Sequence, residues 1–187
     1  MPRQLPDRIF SLSMATSQSS RFHRQFGRLH LVTIGRAFHW MDRPRTLEAL
    51  DALIGPGGAV ALFQEAYPVV PANDWHPSFQ AILDYYGAED PARVRTHTSK
   101  NHESVLLDSA FSHLERIAVL EPCLTSVEHL VDRALSFGST WQGRPGSRLK
   151  DMALEIRDAL VPYARDGLVQ ELLEGIALIA RRPDEVT

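Results

Sequence analysis

The sequence has little of several features that mark particular classes of protein. It has a single cysteine, Cys123, in 187 residues, which excludes an internal disulfide and a thiolate zinc site and is typical of a reducing compartment. It has no apolar run near the ~20 residues that a helix needs to cross a bilayer. Its net charge of −3 lacks the positive excess of nucleic-acid-binding proteins. The sequence therefore predicts a cytoplasmic globular protein that binds neither nucleic acid nor membrane.

The composition is that of one globular domain preceded by an atypical segment. Residues 1–28 carry five arginines against one acid, Asp7, together with five serines, and they show no apolar periodicity. Such a composition is found in organelle transit peptides, in unstructured leaders, and where a start or reading frame is displaced. We favour an unstructured or poorly packed leader, and we divide the chain into this leader, 1–28, and a domain, 29–183.

The segment Leu29–Glu65 contains the most informative pattern. Leu29–Ile34 is a short apolar run, typical of a strand in a sheet that is covered on both faces. Asp42 stands at a helix N-cap position, before apolar residues at helical spacing. The Gly-Pro-Gly-Gly stretch at 55–58 predicts the end of that helix, with a glycine in the left-handed conformation. Because Ala59–Phe63 reads as the next strand, the segment is predicted to form a βαβ unit.

The rest of the domain predicts further helices and strands. Thr125 and Glu128 form a capping-box pattern, which predicts the start of a helix. Ser147 is expected to cap a longer helix, which Pro162 bends or ends. The other predicted elements are a helix closed by Gly87, a short helix at 102–108, and strands near 114–120 and 175–181, the last with the apolar run 176–180 buried on both faces.

Two short motifs within this order of elements resemble those of a known family. Gly35-Arg36-Ala37-Phe38-His39-Trp40 follows the first predicted strand, and Pro56-Gly57-Gly58 precedes the second. Together they resemble the type 11 group of class I S-adenosylmethionine-dependent methyltransferases, which includes the trans-aconitate methyltransferase-like proteins. The resemblance covers roughly residues 29–183, the C-terminal half of that fold. It implies a truncated Rossmann-like α/β fold of about four strands, mostly parallel, whose antiparallel final strand pairs with strand 114–120.

The resemblance also implies a cofactor, S-adenosyl-L-methionine, and a small-molecule methyl acceptor. In the family a Gly-rich turn after the first strand and an acidic residue at the end of the second hold most of the cofactor. The acid takes the ribose hydroxyls, as in dinucleotide folds, and the resemblance implies that these elements need on the order of 90 residues ahead of position 29. Here 28 residues precede that position, with one glycine, Gly27, and no Gly-x-Gly pattern. No residue of the primary cofactor site can therefore be placed on this chain.

What remains of the site is the loop after the first predicted strand, because ligands in open α/β sheets lie beyond the carboxyl ends of the strands. Arg36, Phe38 and Trp40 are predicted to meet the edge of the cofactor or the acceptor. His39 is the candidate base if the acceptor must lose a proton. One alternative is that His39 and Trp40 only shape and pack the loop. Another is that Arg36 is a solvated residue at a strand end rather than the partner of an acceptor carboxylate.

Two functions from different classes follow. One is methyl transfer to a small acceptor; the other is a non-catalytic remnant that serves as an interaction or structural module, which the missing cofactor turn favours for this polypeptide. In the family the strand at Leu29–Ile34 lies beside the first strand, and without that neighbour its edge is a template for pairing. We therefore expect that the leader covers this edge or that the chain forms a homodimer through it. No metal site is predicted, since no cysteine or carboxylate pattern completes the pair His97 and His102.

Overall fold

The computed structural model describes residues 28–88, 101–137 and 146–184, so the leader and His97 lie outside the described residues. Five strands form one mixed sheet: β1 (Leu29–Gly35), β2 (Ile54–Ala66), β3 (His113–Ser126), β4 (Ala164–Arg165) and β5 (Leu168–Arg181). The described helices are α1 (Arg43–Leu53), α2 (His76–Gly87), α3 (His102–Leu107), α4 (Val127–Ser136) and α5 (Gly146–Leu160). Short 3-10 turns lie at Phe38–Trp40, Pro71–Asn73 and Val161–Tyr163. None of the described helices is long and apolar enough to span a membrane.

The strands of the sheet lie in the order β1-β2-β5-β3, with the two-residue strand β4 beside β5. Of the four long strands, three run in one direction and β5 runs against them, and β5 pairs with β3 as predicted. Because β5 lies between β2 and β3, only the β1–β2 pairing is parallel, and the other three pairings are antiparallel. The prediction of a mostly parallel sheet is therefore correct in that most of the long strands share one direction. It is wrong in that most neighbouring strands pair antiparallel.

One face of the sheet packs against α1 and α3. Its core combines strand residues such as Val60, Leu62 and Leu178 with Leu50 of α1 and Leu106 of α3. A second apolar cluster lies among α2, α4 and α5 and includes Val169 at the start of β5. That end of β5 pairs with the end of β3, beyond the last residue of β2. The second cluster therefore extends the fold past the carboxyl ends of β1 and β2.

The apolar run 176–180 of β5 is not buried on both faces, contrary to the prediction. Ile176, Leu178 and Ala180 are buried against the first core, whereas Ala177 and Ile179 are only half-buried. The run is apolar at every position, so its composition did not reveal that its two faces have different environments.

Helix α1 begins as predicted and ends differently. The Asp42 carboxylate accepts a hydrogen bond from the backbone N–H of Arg45, which confirms the N-cap. At the other end, Ile54 is already extended, and its N–H donates to the carbonyl of Leu50. Strand β2 begins there, and residues 55–58 form a bulge within it, where the register against β1 shifts. The expected left-handed glycine at the helix end is therefore wrong; Gly57, with φ of 71°, adopts that conformation inside the bulge.

We expect the two glycines of the Pro-Gly-Gly motif to differ in their tolerance of a side chain. A Cβ on Gly58 would lie 2.5 Å from Cγ2 of Ile54 and 2.9 Å from the carbonyl oxygen of His30. The backbone contact cannot relax cheaply, so Gly58→Ala should lower the free energy of unfolding by about 2 to 3 kcal/mol. Gly57→Ala meets no atom within 4 Å and should cost only about 1 kcal/mol for its left-handed conformation. Urea denaturation measures both, and an equal or reversed order would contradict the packing described here.

The start of α4 lies one residue later than the capping box predicted. Ser126 is the N-cap, and its hydroxyl accepts from the backbone N–H of His129 at 3.1 Å. The predicted cap, Thr125, instead donates its hydroxyl to Glu171 at 2.5 Å. Thr125 is still part of β3 and pairs with Val169 of β5. Its side chain therefore binds a residue of the sheet and does not cap the helix.

Helix α5 starts two residues before its predicted start and ends as predicted. It begins at Gly146, so Ser147 lies in its first turn. It ends at Leu160, where the 3-10 turn that contains Pro162 follows. Proline has no N–H to continue the helical hydrogen bonds, which accounts for the change.

Candidate functional site

A cleft of about 530 Å³ lies at the carboxyl ends of β1 and β2, where the sequence predicted a ligand. Three of the four predicted site residues line it, namely Arg36, Phe38 and His39. The fourth, Trp40, contacts the ring of His39. The opposite wall comes from the second cluster and its flanks and includes Tyr67, Arg133 and Phe137, while His102 lines the cleft beside Phe38. The cleft therefore lies where the two apolar clusters meet.

Arg36 follows directly after β1 and is held in place by β2. Its backbone has φ of 49°, in the left-handed region that residues other than glycine seldom adopt. Its N–H donates to the carbonyl of Phe63 at 2.9 Å, and its guanidinium lies 3.0 Å from the carboxylate of Glu65. Both side chains of this ion pair are exposed to solvent, so the pair contributes little stability. Arg36 thus has a protein partner at the mouth of the cleft.

The 3-10 turn after Arg36 places its three aromatic rings in different environments. Phe38 is almost completely buried, and its ring meets the edge of His102 at 5.2 Å between centroids. His39 is half-buried and lies 4.6 Å from the exposed ring of Trp40. Phe38 therefore packs the base of the turn, while His39 and Trp40 remain at its surface.

His39 and His102 both line the cleft, and their rings are nearly parallel, with centroids 6.5 Å apart. Burial, followed by the charges of Arg36 and Arg43, lowers the pKa of His39 from its ordinary value of 6.5. Burial and the charge of Arg43 also lower the pKa of His102. Both imidazoles are therefore neutral near pH 7 and are able to accept a proton.

The position of the proton on His102 follows from its neighbour. Nη1 of Arg43 lies 3.3 Å from Nδ1 of His102. A guanidinium can only donate, so Nδ1 accepts and the ring proton lies on Nε2. His102 is the first residue of α3, whose N-cap is Asn101. The contact thus connects the start of α3 to α1.

The back of the cleft is built on a buried ion pair. Glu171 of β5 is 3% exposed and accepts two hydrogen bonds from the guanidinium of Arg133, at 3.0 and 3.1 Å. Arg133 also donates to the hydroxyl of Tyr67 at 2.6 Å. Burial alone would raise the pKa of Glu171, but the hydrogen bonds from Arg133 and Thr125 and the guanidinium charge together lower it. Burial raises the pKa of Tyr67, so the phenol keeps its proton as a hydrogen-bond donor.

Asn73 fixes the loop that carries Tyr67. It is 4% exposed, and its amide donates to the carbonyls of Pro68 and Leu172 at 2.8 and 2.9 Å. Its side-chain oxygen accepts from the N–H of Leu172 at 2.8 Å. All three groups are backbone groups, so Asn73 replaces a missing strand partner between the loop and β5.

The sequence analysis did not identify Tyr67, Arg133, Glu171 or Asn73. For two of them the sequence spacing places a charged residue on a buried face. Glu171 lies two residues after the buried Val169 of the same strand, and Arg133 lies three residues after the buried Leu130 of the same helix. A charge in phase with buried positions indicates an internal partner. No group of three histidine, cysteine or acidic residues that could hold a metal ion is found within the described ranges.

Comparison with known proteins gives only distant matches. No family model matches the sequence, and no curated protein matches it. Among solved structures, protein BH2331 of Bacillus halodurans, assigned as a methyltransferase, shares 18% identity at a TM-score of 0.44 and covers 84% of this chain and 65% of its own length. The YcgJ protein of Bacillus subtilis shares 16% identity with this chain at a TM-score of 0.44, and the match covers 84% of this chain and 65% of the YcgJ chain.

A third similar structure is an S-adenosylmethionine-dependent methyltransferase of Geobacter sulfurreducens in complex with S-adenosyl-L-homocysteine. It shares 12% identity with this chain at a TM-score of 0.35, and the match covers 83% of this chain and 59% of the Geobacter chain. This chain thus spans less than two thirds of the length of each of the three proteins. At these identities and TM-scores, such likenesses assign neither a family nor an activity to this chain.

Proposed function

We propose that this chain provides the acceptor side of an S-adenosylmethionine-dependent methyltransferase that acts on a small-molecule acceptor. The observation that carries the proposal is the cleft at the carboxyl ends of β1 and β2, lined by the Phe38-His39 part of the motif that carries the family resemblance. The antiparallel pairing of β3 with β5 supports it, because the same resemblance predicted that pairing.

A small acceptor is supported by the size and lining of the cleft. Its volume of about 530 Å³ falls within the range of small-ligand sites. Its walls combine apolar surface from Phe63 and Phe137 with polar groups of Tyr67 and His102. Apolar walls with a few convergent polar groups are typical of sites that bind and orient small ligands.

The described residues do not form a complete site for the cofactor. The walls of the cleft offer two neutral imidazoles and two guanidinium groups, each guanidinium already bound to a glutamate. A cationic sulfonium group finds no free carboxylate among them, and the strands of the described sheet are not joined by a Gly-rich turn at this edge. We therefore derive no step through the cofactor and restrict the mechanism to the acceptor.

His39 would accept a proton from the acceptor, if methylation requires its loss. Its pKa is lowered by burial and by two nearby arginines, so it is unprotonated near pH 7. Its position on a turn fixed by the buried Phe38 limits its movement, as positioning of a general base requires. Tyr67, on the opposite wall, would donate a hydrogen bond to an acceptor oxygen.

Titration of the full chain with S-adenosyl-L-homocysteine tests the proposal. A dissociation constant in the micromolar range by isothermal titration calorimetry, weakened about tenfold by Trp40→Ala, would support the proposal, because this exposed ring packs against His39 of the cleft. Tyr85→Ala removes a similarly exposed aromatic ring that packs against Tyr86 rather than against a residue of the cleft, and it should leave the affinity unchanged. Absence of binding at millimolar ligand would instead support the non-catalytic module.

A further inference from the structure

The hydroxyl of Tyr67 accepts a hydrogen bond from a cation and keeps its own proton to donate. Nη1 of Arg133 donates to this hydroxyl at 2.6 Å. A guanidinium has no acceptor atom, so the proton of the hydroxyl cannot be directed at Arg133. No side chain within residues 28–88, 101–137 and 146–184 accepts that proton. Because Tyr67 and Arg133 both line the cleft, the hydroxyl is able to donate to a ligand there.

Arg133 is held from behind by the sheet, which fixes the geometry of this contact. Glu171 of β5 accepts from both terminal nitrogens of the guanidinium, at 3.0 and 3.1 Å. Two parallel hydrogen bonds fix the plane of a guanidinium as well as its position. Thr125 of β3 donates to the same carboxylate and limits its rotation. The direction from which Nη1 reaches Tyr67 is therefore set by the buried ion pair.

The ring of Tyr67 is fixed independently of its hydroxyl. It stacks on the ring of His76, with centroids 4.3 Å apart, and meets the edge of the buried ring of Trp75 at 5.7 Å. Asn73 ties the loop that follows Tyr67 to β5. Removal of the hydroxyl therefore leaves the ring in place, so Tyr67→Phe changes the donor alone.

The chemistry of this donor defines the group that it would bind. Glu171 neutralises the charge of Arg133, so the network offers one O–H donor and no net charge. A carbonyl oxygen fits this donor, because it only accepts hydrogen bonds and needs no counterion. A carboxylate would approach the charge of Glu171 and gain no free cation from the pair. The network therefore favours a carbonyl oxygen over a carboxylate.

We propose that Arg133 is a positioning residue that directs the hydroxyl proton of Tyr67 into the cleft, where it binds a carbonyl oxygen of the methyl acceptor. This inference rests on the proposed function, because it names the chemical class of the acceptor. The acceptor then carries two groups: a hydroxyl that His39 deprotonates and a carbonyl oxygen that Tyr67 binds. A ligand without that oxygen leaves the half-buried donor unpaired, which is the basis of the selection.

Binding of three phenols to the full chain, without cofactor, tests this inference. The probe para-hydroxyacetophenone carries the carbonyl oxygen, para-ethylphenol has a methylene group in its place, and para-hydroxybenzoate carries a carboxylate. We expect NMR titration to show that the ketone binds about tenfold more tightly than the other two, since one directed hydrogen bond separates them. Tyr67→Phe should abolish this preference and leave the affinity for para-ethylphenol unchanged.

The double variant Arg133→Met/Glu171→Leu tests the positioning role, because it keeps the hydroxyl of Tyr67 and removes its partner. The ketone should lose about tenfold in affinity, and the affinity for para-ethylphenol should not change. The matched control is Arg157→Met/Glu128→Leu, which removes an exposed ion pair between α5 and α4 and should keep the preference for the ketone. Circular dichroism verifies that each variant folds.

Four results would overturn the inference. The first is an equal loss of affinity for the ketone and para-ethylphenol in the double variant, because Arg133 would then only support the fold. The others are a preference for the ketone that survives Tyr67→Phe, tighter binding of the carboxylate by the wild type, and no binding of any of the three phenols.

The titration with S-adenosyl-L-homocysteine separates this inference from the proposed function. Binding of that ligand without a preference for the ketone would leave methyl transfer and remove the carbonyl site. A preference for the ketone without binding of that ligand would leave a carbonyl-binding cleft and remove methyl transfer.

Discussion

Replacing Arg133 by methionine is expected to lower the free energy of unfolding by about 3 to 5 kcal/mol. The methionine keeps most of the apolar length of the side chain, but it leaves the carboxylate of Glu171 without the two hydrogen bonds and the positive charge of the guanidinium. Glu171 is almost fully buried, so its charge has no access to water to compensate for that loss. Urea denaturation monitored by circular dichroism measures the effect.

Arg157→Met is the matched control for this variant. Arg157 also lies on a helix and makes two hydrogen bonds of 2.7 Å to a carboxylate, that of Glu128. Both partners of this ion pair are well exposed, so the loss should be much smaller than that of Arg133→Met. Adding Glu171→Leu to Arg133→Met should recover much of the stability, because the uncompensated charge is then removed. Similar losses in the two single variants would contradict the role of burial.

Replacing Asn73 by alanine should lower the free energy of unfolding by about 3 kcal/mol. The substitution leaves two carbonyls and one N–H without their partner, at the half-buried residues Pro68 and Leu172, and each unsatisfied group costs about 1 kcal/mol, the lower end of the range for buried groups. Because the loop also carries Tyr67, the resonances of Arg133 should shift in NMR spectra of the variant. Denaturation and NMR spectroscopy of the same sample check both expectations.

Asn101→Ala gives the comparison at an exposed asparagine. The Asn101 side chain caps α3 by accepting from the N–H of Ser104 at 2.8 Å. Water replaces this partner, so the expected loss is only about 1 kcal/mol. A loss at Asn73 no greater than that at Asn101 would show that the loop obtains its stability from other contacts.

The local elements of the fold were predictable from the sequence, and the reasons are local. Asp42 caps α1 because its side chain reaches an N–H three residues later, and Pro162 ends α5 because it has no N–H. The errors also have local origins: Thr125 and Ser126 are both good caps, and only the partner of Thr125 in β5 decides between them.

The cleft was predictable on one side only. The turn with Phe38 and His39 follows a strand that the sequence predicts, and ligands of open α/β sheets bind beyond the carboxyl ends of the strands. The opposite wall depends on contacts between distant segments: Arg133 and Glu171 are 38 residues apart, and Asn73 and Leu172 are 99 apart. The periodicity of a sequence describes one helix or strand at a time, so it does not predict which charged residues of different elements form an ion pair.

The position of β5 between β2 and β3 has a consequence for the order of folding. Val60 of β2 pairs with Ala180 of β5, at a separation of 120 residues. During synthesis at about 5 to 20 residues per second, the edge of β2 that faces β5 waits roughly 6 to 24 seconds for its partner. Its continuous apolar run, 59–63, stays accessible to other nascent chains throughout that interval. The large sequence separation of this pairing delays completion of the sheet until the end of β5 has been synthesised.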